Sequence, residues 1–376
     1  MTPPSGILIV GASARAAAFS AARAGFRPRC LDLFADADLA ALCPAARFDP
    51  DHDRDAHDLE RLAAASGCDA WLYVGSMEAR PDLVERISRV VPLLGVGADV
   101  LRQIRDPWVV ADVLRGHGLA TPALRRVADG TPTVGHWLAK STATAGGLGA
   151  RRGDDPGDVP STHFQEFIAG PTFSGLFVAA GGRARLVGTA RQFPGVPGAP
   201  FLYRGGVAPW PVSERATSEL RRVGEALAAR FGLIGLFGVD FVLADDRPWV
   251  LEVNPRYTAS VELFEYVYRR AIMRDHVRAC VEGDVGVEAG SGGSGVAAGK
   301  RVVYARRRLT FPAIAPPPLG DGFRAPSFAD VPRAGATIEA GGPVLTVLAR
   351  ARTPEACLAR LDRMEAAWVE RLEGRA

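Results

Sequence analysis

The sequence predicts an α/β protein that opens with a parallel sheet flanked by helices and continues into antiparallel strands. Three observations carry that expectation. Strand and helix signals alternate through the first hundred residues, as in βαβ units. A glycine-rich loop follows a short strand near residue 140. Two apolar strands joined by a tight turn near residue 245 read as a hairpin.

In order, residues 7–10 read as a buried strand, 11–24 as a helix, 28–33 as a strand, 59–66 as a helix, 71–74 as a strand and 81–91 as a helix. Residues 93–96 close the parallel series. A helix over 105–117 is stopped by Gly118, with Pro122 beyond it. From Pro132 the pattern changes to short strands at 137–140, 164–168, 174–179 and 184–192. Apolar spacing at Leu220, Val223, Leu227 and Phe231 predicts a helix over 213–231. Strands 237–244 and 249–253 flank the turn Asp245-Asp246-Arg247-Pro248. Residues 261–280 read as one helix, and the Gly/Ser-rich stretch 286–299 as a flexible loop without catalytic groups. Strands 301–305 and 344–349 and a helix over 354–372 follow.

At 376 residues the chain has room for two or three domains. A net charge of +3, with 48% hydrophobic and 23% charged residues, is ordinary for a globular protein. It gives no reason to expect nucleic acid or a membrane as partner. No apolar run approaches a membrane span, and the first residues lack the basic region of a signal peptide. Five cysteines without a CxxC argue against a disulfide framework and a Cys-based zinc site, and for a cytoplasmic location. Of 45 basic residues only Lys140 and Lys300 are lysines. In so arginine-rich a chain, a lysine marks a place where a compact ammonium has to fit.

Three motifs carry chemistry. Gly11-Ala-Ser-Ala-Arg15 follows the opening strand, and Asp32 ends the second strand as a ribose-binding acid would. The motif is not GxGxxG, so a sharp strand-to-helix turn is favoured over a dinucleotide site. Lys140 precedes a loop containing Gly146, Gly147 and Gly149, whose small residues would let backbone amides approach phosphate oxygens. It is not a Walker A loop, where the lysine follows the glycines. The third motif is the strongest. Asp240 and Glu252 fall on neighbouring antiparallel strands, and Glu252 and Asn254, two apart, share one face. Two carboxylates and an amide oxygen inside an apolar hairpin suit Mg²⁺ held together with nucleotide phosphates. Arg256 adds a fork for phosphate.

Lys140 with its glycine loop, Phe164-Gln-Glu-Phe-Ile-Ala-Gly170 and Asp240…Glu252-Val-Asn254-Pro-Arg256 together resemble the ATP-grasp superfamily. Within it the chain is similar to predicted carboligases related to biotin carboxylase. The features shared with them include Gly75-Ser-Met-Glu78, Arg105-Asp106-Pro107, Ser174-Gly-Leu-Phe177, Arg191-Gln192 and the tail from Asp330. The resemblance implies a Rossmann-like preATP-grasp domain over 1–105, a linker helix and lid over 106–175, and a core with the metal site over 176–285. The flexible loop 286–299 and a completing mixed-sheet segment over 300–376 follow.

It further implies ATP and Mg²⁺ as cofactors. Lys140, Gly146, Gly147 and Gly149 would lie over the phosphates. Gln165, Glu166, Phe167 and Ile168 would form the hinge that meets adenine. Asp240, Glu252 and Asn254 would hold the metal, and Arg256 with Arg191 would stabilise the transferred phosphoryl group. The earlier ATP-binding lysine of many relatives is absent, leaving Arg105, Arg125 or Arg126 in its place.

The implied activity joins a carboxylate, activated as its acyl phosphate, to an amine. Members of the subgroup accompany one-carbon genes in methylotrophs, which points to tetrahydromethanopterin or methylofuran biosynthesis. The partners are then small molecules, with a homodimer left open. Bicarbonate-dependent carboxylation and a regulatory nucleotide-binding role without turnover remain as alternatives. Glu78, Arg80, Arg15 and Tyr257 stand either at the substrate end or on exposed loops.

Overall fold

The alternating apolar runs of the first hundred residues pair as the period predicts. Strand Gly6–Gly11 lies between Arg27–Asp32 and Ala70–Tyr73, all parallel, and Ala45–Arg47 extends the edge beside Arg27–Asp32. A computed structural model describes residues 3–49, 53–130, 132, 136–143, 146–153, 162–286, 295–318 and 322–374. Leu93 contributes only a single parallel bridge to Trp71, so the expected strand over 93–96 is not a strand. The helix Ala37–Leu42, the strand Ala45–Arg47 and the helix Ala98–Ile104 are too short to leave a period in the sequence. Asp106 caps the next helix, Pro107–Gly116, by accepting from the Trp108 N–H.

A small antiparallel sheet follows, in the order Leu124–Arg126, Thr162–Glu166, Trp137–Ser141, Arg151–Arg152. A larger sheet of eight strands then runs in the order Arg247–Asn254, Gly235–Ala244, Thr172–Ala180, Arg183–Gln192, Gly205–Ala208, Ala297–Tyr304, Pro343–Ala351, Phe328–Ala329. Side chains alternate across it. One face carries Phe173, Phe177, Phe237 and Phe241, which pack against Leu220 and Leu227 of the helix Glu214–Phe231. The helix Pro354–Glu373 covers the far end of that face, through Cys357 and Leu361. The opposite face turns toward the N-terminal layer.

Two expectations need correction. Residues 261–280 are two helices, Val261–Tyr268 and Met273–Glu282, because Arg269 takes the left-handed conformation (φ 49°) and ends the first. The stretch 286–299 is not loop throughout: Ala297–Gly299 already pair with both neighbouring strands or with Pro343–Ala351 and are buried. Residues 287–294 of that stretch lie outside the described residues. No helix among the described residues is long and apolar enough to cross a membrane.

Candidate active site

The inward face of the large sheet paves the floor of a cavity of about 1200 Å³. Thr172 and Ser174, Gln192, Gly206, Lys300 and Thr346 lie along this floor, each from a different strand except the first two. Asp240 stands beside Ser174 in register and directly opposite Glu252, and Gly238 is opposite Asn254. The turn that makes this hairpin places both Asp245 (φ 50°) and Asp246 (φ 57°) in the left-handed region, the mirror-image geometry that matches strand twist. The pairing slips by one residue between Asp240 and Phe241, leaving Leu251 as a bulge. Leu251 and Glu252 therefore both reach the cavity.

The three expected ligands converge. Asp240 accepts from Gln192 Nε2 (2.9 Å) and Asn254 Nδ2 (3.0 Å). Burial, and then the facing Glu252 carboxylate, push the Asp240 carboxyl up to about 7. Glu252 is enclosed by the site, yet 44% of its side chain is open to the cavity, 3.5 Å from Lys140 Nζ. Against the effect of burial, Lys140, then Arg105 and Arg256, hold it below the usual carboxylate range. Lys140 also donates to Gln165 Oε1 (3.3 Å), whose Nε2 donates to the Leu251 carbonyl (3.3 Å). Arg256 reaches Glu78 at 2.6 Å and donates to Asn254 Oδ1 at 3.1 Å.

Above the floor, the Gly146 carbonyl accepts from the Tyr203 N–H (2.9 Å). Gly147 has φ +81°, and a Cβ there would lie 2.0 Å from the Phe201 carbonyl oxygen, so only glycine fits. Thr144 and Ala145 of this loop lie outside the described residues.

The remaining expected residues fall elsewhere. Arg191 is a correction. It neighbours Gln192 on one strand and so points through the opposite face, where its guanidinium lies over Trp210 (4.7 Å) and Phe193 (5.3 Å). Gly149, Glu166, Phe167 and Ile168 do not line the cavity. Glu166 accepts the Ala123 N–H, and Phe167 donates its own N–H to His136 and lies under Arg152. Of the arginines proposed for the absent lysine, Arg105 faces the site and donates to the Thr142 carbonyl. Arg125 bonds the Asp129 carbonyl and Arg126 stacks on Trp108.

Asp32 is no ribose ligand. Its carboxylate is buried and accepts backbone N–H groups from Ala14, Phe34 and Ala35, fixing the strand-to-helix turn. Of the four residues left between the substrate end and exposed loops, Arg15, Arg80 and Tyr257 line the cavity, and Glu78 is buried behind Arg256.

Sequence reading missed Gln192 as a contact of Asp240, and it missed a buried network at the cavity wall, where Arg15, Lys300 and Asp330 line the cavity. Glu262 accepts from Arg15 Nη1 (2.7 Å), Arg15 Nη2 (3.1 Å) and Lys300 Nζ (2.7 Å). Arg15 also donates to Asp330 (2.8 Å). Despite burial, Arg15 and then Lys300 hold Glu262 at about 2. The scarcity of lysine, applied to Lys140 alone, was the signal that also marked Lys300.

Residues 104–260 match the family model described as an ATP-grasp domain. The carbamoyl phosphate synthase large chain of Neisseria gonorrhoeae is 45% identical over 53 residues, which is 14% of this chain and 5% of that much longer one. The solved biotin carboxylase of Campylobacter jejuni, in complex with β-γ-ATP, superposes with a TM-score of 0.73 at 14% identity, over 95% of this chain and 90% of the other. An L-amino acid ligase from Bacillus licheniformis superposes with a TM-score of 0.71 at 17% identity, over 97% and 98%. At these identities the likeness concerns the fold.

Proposed function

We propose that this chain, which carries an ATP-grasp domain on an ATP-grasp fold, is an ATP-dependent ligase that activates a carboxylate as an acyl phosphate and joins it to an amine. One observation carries the reading: two carboxylates and an amide on the hairpin face a lysine ammonium and a glycine loop across one cavity. Among the described residues no three His, Cys, Asp or Glu side chains form a metal cage. The donor set is instead Asp240, Glu252 and Asn254, all oxygen donors and too few to complete a coordination shell alone. That suits Mg²⁺, which binds through one or two carboxylates plus substrate phosphates. Burial and then the facing Glu252 carboxylate make Asp240 a weaker acid, and a cation between the two would relieve the repulsion.

Bound Mg²⁺ would neutralise charge on the nucleotide phosphates. The chain's own groups do the rest. Lys140 holds phosphate oxygens at the cavity side of Glu252, and the amides around Gly146 and Gly147 close over them. Arg256, steadied by Glu78, presents its fork to the phosphoryl group in flight. No nucleophilic Ser or Cys is required, because positioning and electrostatics suffice for phosphoryl transfer. Closure of the glycine loop would keep water from an acyl phosphate.

The narrower placement, in one-carbon cofactor assembly, rests on the sequence resemblance alone. ADP release from MgATP, screened against carboxylic acids with and without amines, tests the whole reading. Turnover that needs both an acid and an amine is the expected result. Turnover with bicarbonate and no amine would make the chain a carboxylase, and nucleotide binding without any turnover would make it regulatory.

A further inference from the structure

The cavity is larger than one nucleotide requires, and its end farthest along the chain from the hairpin is built from residues 33–36 and 45–47 of the N-terminal layer and 330–333 of the tail. Four carboxylates near this end are satisfied. Asp32 accepts its three backbone N–H groups. Asp38 accepts those of Asp330 (2.9 Å) and Val331 (3.1 Å). Glu262 is matched by Arg15 and Lys300, and Asp330 by Arg15.

Asp36 is different. It is 6% exposed and lines the cavity, and among the described residues its carboxyl has no hydrogen bond or ion pair. A buried carboxyl left unpaired is costly, so such a group is a place where a ligand supplies the missing partner.

The nearby cations are already committed or stand aside. Arg15 is shared between Glu262 and Asp330. Arg333 directs Nε to the Ala35 carbonyl (3.3 Å), and Arg47 is exposed at the rim. Beside Asp36, Leu33 and Pro332 line the wall, and Phe34 leaves 42% of its surface uncovered.

We propose that Asp36 docks an ammonium group of the amine substrate, whose apolar body lies against Phe34. This rests on the ligase reading and assigns its acceptor class: a primary alkyl or arylalkyl amine rather than a second carboxylate. Burial, then Asp330, Asp38 and Asp32, push the empty Asp36 carboxyl up to about 8, with Arg15 opposing. An ammonium within contact distance supplies the charge that lets it ionise. Amine affinity then rises with pH between about 7 and 9, while an alkylammonium near the lysine value of about 10.4 is still protonated.

Titration calorimetry of the full chain with n-hexylamine, hexan-1-ol and hexanoate, with and without MgADP, tests this. Hexylamine should bind at least tenfold more tightly than the other two and gain affinity from pH 7 to 9. Asp36→Asn should weaken hexylamine at least tenfold and flatten the pH dependence, leaving MgADP affinity unchanged. Phe34→Ala should weaken hexylamine and hexanol alike. Equal binding of hexanoate, or an Asp36→Asn variant that binds hexylamine as the parent does, overturns the proposal. If that variant does not fold, the parent's ligand ranking and pH profile still decide. Amine binding at Asp36 without ATP turnover would sink the ligase reading and leave this site. Turnover in which Asp36→Asn leaves the KM for the amine unchanged would do the reverse.

Discussion

Replacing Glu252 by Gln separates the chemistry of the acidic hairpin from its stability. Two electrostatic terms change together. The Asp240 and Glu252 carboxylates face each other on paired strands, where side chains sit about 5 Å apart. At an effective dielectric of about 20 their repulsion is about 3 kcal/mol. The Lys140–Glu252 attraction at 3.5 Å is about 5 kcal/mol on the same basis. Glu252 is open to cavity water, so both are strongly screened and the difference shrinks to about 1 kcal/mol or less. A chain of this size should then melt within about 3 °C of the parent.

Activity should respond very differently. On the proposed reading Glu252 is a charged ligand of Mg²⁺; its loss would then remove several kcal/mol of transition-state stabilisation, so MgATP turnover should fall about a hundredfold or more. Scanning calorimetry and an ADP-release assay across Mg²⁺ concentrations read the two quantities. Parental turnover with the parental Mg²⁺ dependence would refute the reasoning. So would an unfolded variant, which would make Glu252 a structural partner of Lys140.

Lys140→Ala should raise the KM for ATP about tenfold or more with the melting temperature nearly unchanged, as steady-state kinetics and calorimetry would report. Gly147→Ala should also impair ATP use, because the φ of +81° and the Phe201 carbonyl exclude a Cβ; nucleotide titration measures the loss. Arg191→Ala should leave the KM for ATP unchanged and cost about 1 kcal/mol in denaturant melts, the worth of its stacking on Trp210. His163 and His276 are buried and depressed by that burial to about 4. The unfolded chain protonates these histidines below about 6.5 while the folded chain resists until about 4, so they subtract stability as pH drops through that window, whereas the raised Asp36 and Asp240 carboxyls add it. Urea melts from pH 7.5 to 4.5 read the histidine part as a difference: His276→Gln should lose less stability, or gain more, than the parent over that range.

Much of the hairpin was legible because its signals are local. Apolar alternation fixes the strands, Asp-Asp fixes the turn, and a spacing of two puts Glu252 and Asn254 on one face. Lys140 was legible through its rarity. Arg191 was not, because one residue along a strand reverses the face, and only pairing with Thr172–Ala180 and Gly205–Ala208 sets which face is which. The break at Arg269 was hidden because apolar spacing continues across it. The Glu262 network joins positions 15, 262, 300 and 330, a proximity that no local pattern encodes.

The place of Ala297–Tyr304 in the large sheet has a consequence for biosynthesis. It is the bridge between Gly205–Ala208 and Pro343–Ala351, so the row of strands that carries the acidic hairpin ends, until this segment is made, at a bare edge. On the ribosome that edge waits for residues far downstream, with its backbone groups available to any neighbouring strand. A chain interrupted between residues 254 and 297 would keep the hairpin and lose the cover. Completion of synthesis thus protects the molecule from self-association at the same moment that it delivers Lys300 to the cavity floor.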